Sequence, residues 1–145
     1  MLLERPGQFA EILRDVRLIP AAVEEILRLG DFEYSAPRVA LENVDIGGCE
    51  IRAGESILLI QGLANRDPRF WVRPDVFSLR RMPNHPLAFT ASPYSRLCSP
   101  LTRASVRIAL EEVVSSLPRI RLAGQSLRSD CRPPGDRFTV IPVSI

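Results

Sequence analysis

Few side chains in this chain can do chemistry, and their spacing narrows the choice further. Cys49, Cys98 and Cys131 are thiolate ligands or nucleophiles by type, but they stand 49 and 33 residues apart. No pair has metal-ligand spacing, and an odd number of cysteines does not make a disulfide framework. The one histidine, His85, lies within Met82-Pro83-Asn84-His85-Pro86, a turn composition, and cannot build a zinc site alone. No serine sits in a nucleophile elbow. All 19 basic residues are arginine, which excludes Schiff-base chemistry and the lysine-dependent phosphate loop. One pairing remains. Glu25 and Arg28 are three residues apart, which on a helix brings a carboxylate and a guanidinium to one face where they can pair.

Composition sets the frame for those groups. At 145 residues the chain is one domain by length, with 46% apolar and 25% charged residues, as in ordinary soluble globular proteins. Net charge is +2 but uneven: residues 1–60 hold 11 acids and 6 arginines, residues 61–145 hold 6 acids and 13 arginines. A basic carboxy-terminal face would suit an acidic partner. Aromatics do not interleave with that charge, so a nucleic-acid surface is not expected. The longest clean apolar run, Ile57–Ile60, is far short of a membrane span. Met1–Arg17 has no signal-peptide core. No membrane association is expected, and the expected location is the cytoplasm.

The elements that must position these residues follow from periodicity. Phe9, Ile12, Leu13 and Val16 predict a helix over 4–17. A second helix is predicted to begin at Pro20 and stop at Gly30, with Val23, Ile26 and Leu27 as its apolar stripe. The period then changes: a strand at Arg38–Leu41, a hairpin at Val44–Ile51 around Gly47-Gly48, and a strand at Ser56–Gln61. Residues 66–99 carry five prolines and little periodicity, which reads as a long ordered loop, a feature that is usually functional. Pro100–Leu117 is the strongest helix, with Val106, Ala109, Leu110, Val113 and Leu117 on one face. Short strands are expected near Arg119–Leu122 and Phe138–Val143. The class is α+β.

Several blocks, in order, resemble the carboxy-terminal part of a bacterial cytochrome P-450. Glu25-Ile26-Leu27-Arg28 resembles the Glu-x-x-Arg of that family's K helix, and Pro37-Arg38-Val39-Ala40 its strand bearing a propionate-binding arginine. Gly47-Gly48, Ala53-Gly54-Glu55 and Ala64-Asn65-Arg66-Asp67-Pro68 match the family's wording. Pro74-Asp75-Val76-Phe77 resembles its meander, and Arg81, which keeps the family's spacing to Phe89, is the candidate to join Glu25 and Arg28. Leu87–Arg103, LAFTASPYSRLCSPLTR, occupies the frame Phe-Gly-x-Gly-x-His-x-Cys-x-Gly followed by Ala-Pro-Leu-Ala-Arg. Counting from Phe89 and back from Arg103 gives the same place for the cysteine, and it is Arg96.

The resemblance implies the haem-side subdomain of that fold: J, K and L helices, small β-sheets and a long meander with its Cys loop, in one truncated domain over 1–145. It also locates what has changed. A thiolate sets the electronics of oxygen cleavage at haem iron; a guanidinium has no free lone pair and stays protonated. Thr90 and Ser92 stand at the loop's glycines, and Tyr94 at its propionate-binding histidine. Arg38, Tyr94 and Cys98 are the haem contacts to expect if haem binds. A two-residue shift would bring Cys98 to the ligand position but drag Pro100 and Arg103 out of register. Arg96 is expected to point out of the would-be pocket or to pair with a carboxylate. The leading expectation is therefore a degenerate, non-catalytic member without a cofactor, serving as an auxiliary. Some P-450-like proteins that have lost the cysteine serve as auxiliary partners, for example stabilising glycosyltransferases in bacterial biosynthetic pathways. It would meet a protein partner, or a second copy, through an apolar face exposed by the missing distal half. The alternatives are a haem-binding monooxygenase fragment and a decayed reading frame.

Overall fold

A computed structural model describes residues 1–30, 35–87, 95–124, 127–128 and 138–145. Phe89, Thr90, Ser92, Tyr94 and Cys131 lie outside the described residues. The first predicted helix is shorter than its periodicity suggests: α1 is Pro6–Arg14. Asp15 ends it in extended geometry, and its side chain accepts from the Arg17 N–H, starting a 3-10 turn at Val16–Leu18. A short acid competing for a backbone donor breaks a helix in this way. Helix α2, Ile19–Leu29, has Pro20 in its first turn, where the missing N–H costs nothing.

Strands β1 (Ala36–Val39) and β4 (Ser56–Leu59) pair antiparallel, Pro37 opposite Leu58 and Arg38 opposite Ile57. Between them β2 (Val44–Ile46) and β3 (Cys49–Ile51) form the predicted hairpin. Gly47 and Gly48 both have positive φ, 64° and 83°, the tight turn that suits twisted strands. Sequence periodicity extended β4 to Gln61, but Gln61–Ala64 is a single helical turn, α3. At the carboxy end β5 (Arg121–Leu122) pairs with β8 (Val143–Ser144), and β6 (Leu127–Arg128) with β7 (Phe138–Val140).

Helix α4 departs most from expectation. It runs Ser95–Ser116, so Pro100 lies inside it rather than at its start. Proline cannot donate to the carbonyl four residues back; here that is Arg96. Ala109 is exposed, and the contact face instead runs through Val106, Leu110 and Val114. That face meets Ile12 of α1, the apolar side of α2 (Ile19, Ala22, Val23, Leu27) and Phe77 and Leu79 from the long loop. The core thus joins three helices to a segment with no regular structure. The arrangement is α+β, as expected.

Candidate functional site

The apolar stripe of α2 is interrupted by two charged residues that are fully buried, Glu25 and Arg28. Burying charge is tolerable only when every polar atom is met. The helix supplies the first bonds: Arg28 Nε donates to Glu25 Oε1 at 2.7 Å and Nη2 to Oε2 at 3.0 Å. The loop supplies the rest. Arg28 Nη1 donates to the Asn65 and Pro74 carbonyls at 2.9 and 2.5 Å, and Nη2 to the Val76 carbonyl at 3.1 Å. A guanidinium has five N–H donors, and all of them are used.

Arg81 joins on the other side. Its Nε donates to Glu25 Oε1 at 2.9 Å, and its terminal nitrogens donate to the Val72, Arg73 and Val76 carbonyls at 2.7, 3.2 and 2.8 Å. Glu25 also accepts from the Ser78 N–H at 2.9 Å and from Asn84 Nδ2 at 3.1 Å. Trp71 lies against both guanidinium groups, 5.2 Å from Arg28 and 5.9 Å from Arg81, within cation–π range. Its indole N–H donates to the Ala64 carbonyl at 3.1 Å. Burial alone would raise the Glu25 pKa. The Arg28 hydrogen bond, the Ser78 N–H and the two nearby positive charges outweigh burial and hold it below its ordinary value. Glu25 is ionised at neutral pH. This is a locked cluster, with no free base, acid or nucleophile to offer.

The cluster places the chain just ahead of the Cys-loop frame. Leu87 N donates to Asn65 Oδ1 at 2.8 Å, and Gln61 Nε2 donates to the Leu87 carbonyl at 3.2 Å. Two buried oxygens, Gln61 Oε1 and Asn84 Oδ1, have no hydrogen-bond partner among the described residues. Beyond the undescribed residues the chain returns as α4. Arg96 and Cys98 are both exposed in its first turn. Two residues on a helix are about 200° apart, so they occupy nearly opposite sides. Arg38 is half-buried in β1, and its guanidinium donates to the Pro37 carbonyl at 2.7 Å. Spacing paired Glu25 with Arg28 and the resemblance added Arg81, and the three meet. Neither identified Trp71, Asn84, Asn65 and Gln61. Nor did they pair Arg103 with Glu24, for which the adjacent acid was the one available hint.

A buried Glu-x-x-Arg closed by a distant arginine, on mixed helices and small sheets, defines the class. The cytochrome P-450 family model matches residues 10–92. The biotin biosynthesis cytochrome P-450 of Bacillus subtilis is 39% identical over 122 residues, which are 84% of this chain and 31% of that protein. Nocardicin C N-oxygenase of Nocardia uniformis is 40% identical over 126 residues, 85% of this chain and 31% of that one. Among solved structures, the P-450 BioI complex with an acyl carrier protein superposes with a TM-score of 0.89 at 36% identity, covering 99% of this chain and 37% of that one. A Bacillus megaterium P-450 bound to corticosterone gives 0.90 at 26% identity, covering 98% and 39%. The chain belongs to the cytochrome P-450 family, and it spans about a third of the length of the relatives it matches.

The family model's match ends at residue 92, ahead of Arg96. A thiolate binds haem iron through a sulfur lone pair; the exposed guanidinium of Arg96 has none to offer. Cys98 is exposed within the first turn of α4. Among the described residues no group of three or more His, Cys, Asp or Glu could hold a metal ion. No helix among them is long and apolar enough to cross a membrane.

Proposed function

We propose that this chain is the haem-side part of a cytochrome P-450 that keeps the folding frame and has lost the iron ligand. It does not by itself carry out monooxygenation. The observation behind this reading is the contrast between the complete Glu25–Arg28–Arg81 cluster and an arginine at position 96. That cluster holds the flank of the loop at Leu87 through Asn65, whether or not a metal centre forms beyond it.

The alternative reading is a haem-binding monooxygenase fragment, in which Cys98 ligates iron after the start of α4 unwinds, or another chain supplies the rest of the haem pocket. The family relationship favours it. Mixing the purified chain with haemin, reducing it and adding carbon monoxide separates the two. A thiolate-type Soret band that disappears in Cys98→Ala establishes the alternative. No uptake by the wild-type chain, with uptake gained in Arg96→Cys, supports the lost ligand.

The partner role rests on surface chemistry. Pro37, Val39 and Leu58 share one face of the β1–β4 sheet, Val39 and Leu58 being 58% and 57% exposed, and Leu63 of α3 follows at 55%. Contiguous apolar surface of this kind marks an interface or an aggregation site. Sedimentation over a concentration series tests it: self-association abolished by Leu58→Glu supports a homo-oligomer, and a monomer at all concentrations excludes one.

A further inference from the structure

Glu24 neighbours Glu25 on α2, about 100° further round the helix, and it holds a different part of the chain. Arg103 Nε donates to Glu24 Oε1 at 2.7 Å and Nη2 to Oε2 at 3.1 Å, a two-bond fork across 79 residues of sequence. The remaining terminal nitrogen donates to Ser99 Oγ, one turn earlier on α4. The pair is only partly exposed, 34% and 26%. Forked carboxylate–guanidinium bonds fix direction as well as distance.

Direction matters because the helices do not close on one another at this end of α4. A solvent-open groove of about 290 Å³ runs between them, lined by Pro20, Val23 and Glu24 on α2 and by Pro100, Arg103 and Arg107 on α4. Apolar contact is made further along, at Val106, Leu110 and Val114. Across the groove the fork ties the two helices together. Residues 96 and 103 are seven apart, two helical turns, so they share the stripe that continues to Leu110. Turning α4 by one residue would swing position 96 through about 100° and slide it about 1.5 Å. Either movement breaks the fork.

We propose that Glu24 is a positioning residue: through Arg103 it sets the rotation and depth of α4, and so the direction in which residue 96 is presented. It does so independently of the Glu25 cluster, which holds the other flank of the loop at Leu87. The two flanks are held by adjacent carboxylates of a single helix, so the gap between them is set by α2. The significance of the proposal rests on residue 96 being the ligand position.

Cys98, exposed and two residues beyond position 96, is a built-in reporter. In the whole chain with Cys49→Ser and Cys131→Ser, a nitroxide on Cys98 should show the restricted motion of an exposed site on an ordered helix. Glu24→Gln should raise its mobility, and Arg103→Lys, which keeps the charge but not the fork, should do the same. Exchanging the pair, Glu24→Arg with Arg103→Glu, should restore the restricted motion. A nitroxide on Cys49, with Cys98→Ser, should be unchanged throughout. A Cys98 spectrum unchanged by Glu24→Gln overturns the proposal, as does loosening at both labels or an exchange variant that stays mobile. Failure of Arg96→Cys to gain haem would instead refute the ligand-position reading and leave the label result standing.

Discussion

The two sides of the Cys-loop frame contrast sharply. Ahead of it, the Glu25 cluster satisfies every donor of a buried arginine with partners 37 to 48 residues away and inside its own helix. After it, α4 opens with Arg96 and Cys98 exposed, carries Pro100 with its missing N–H in the second turn, and leaves a solvent-open groove against α2. The cluster lies within the family model's match, and Arg96 lies beyond it. A buried ion network is hard to lose piecemeal, because removing one member leaves the others charged and desolvated. An exposed residue such as Arg96 is under no such constraint.

Breaking the cluster should therefore have the largest effect. Glu25→Ala leaves two guanidinium groups with no carboxylate in a buried site and should cost about 3–5 kcal/mol, seen as loss of a cooperative urea transition. Next comes Trp71→Ala, which removes the ring lying against Arg28 and Arg81 and should cost about 3–5 kcal/mol, less if the half-buried site refills with solvent. The pH response follows from Glu25 as well. Its folded pKa is below its ordinary 4.5, so the stability it adds is fully present above about pH 4.5 and is lost as pH falls through the folded value. Thermal midpoints measured downward from neutral pH should fall in that window, and Glu25→Gln should flatten this part of the curve. Smallest of all is Arg96→Ala, exposed and outside the core, expected within about 0.5 kcal/mol of wild type by urea titration. A large effect there would end the contrast between the two sides.

Spacing made part of this legible. Glu25 and Arg28 are neighbours on any helix, and the resemblance placed Arg81 with them. Helices, the Gly47-Gly48 hairpin and the terminal strands were visible because local pattern controls them. The loop partners were not, because carbonyls of residues 65–76 carry no side-chain signature and meet Arg28 and Arg81 only after the chain has folded. The early start of α4 was hidden by Pro100, which resembles a first-turn proline. Asp15 broke the first helix by a side-chain bond that apolar periodicity does not register.

The cluster also shapes the order in which this protein can fold. Arg28 and Arg81 together bond the carbonyls of Asn65, Val72, Arg73, Pro74 and Val76. Residues 65–87 therefore gain little until α2 exists, since several of their bonds run to residues 37 to 59 positions earlier. Closing loops of that length costs entropy before any bond repays it. The loop should be the late and all-or-none step of folding, arriving together with the burial of Glu25, and hydrogen exchange across 65–87 should report one opening event.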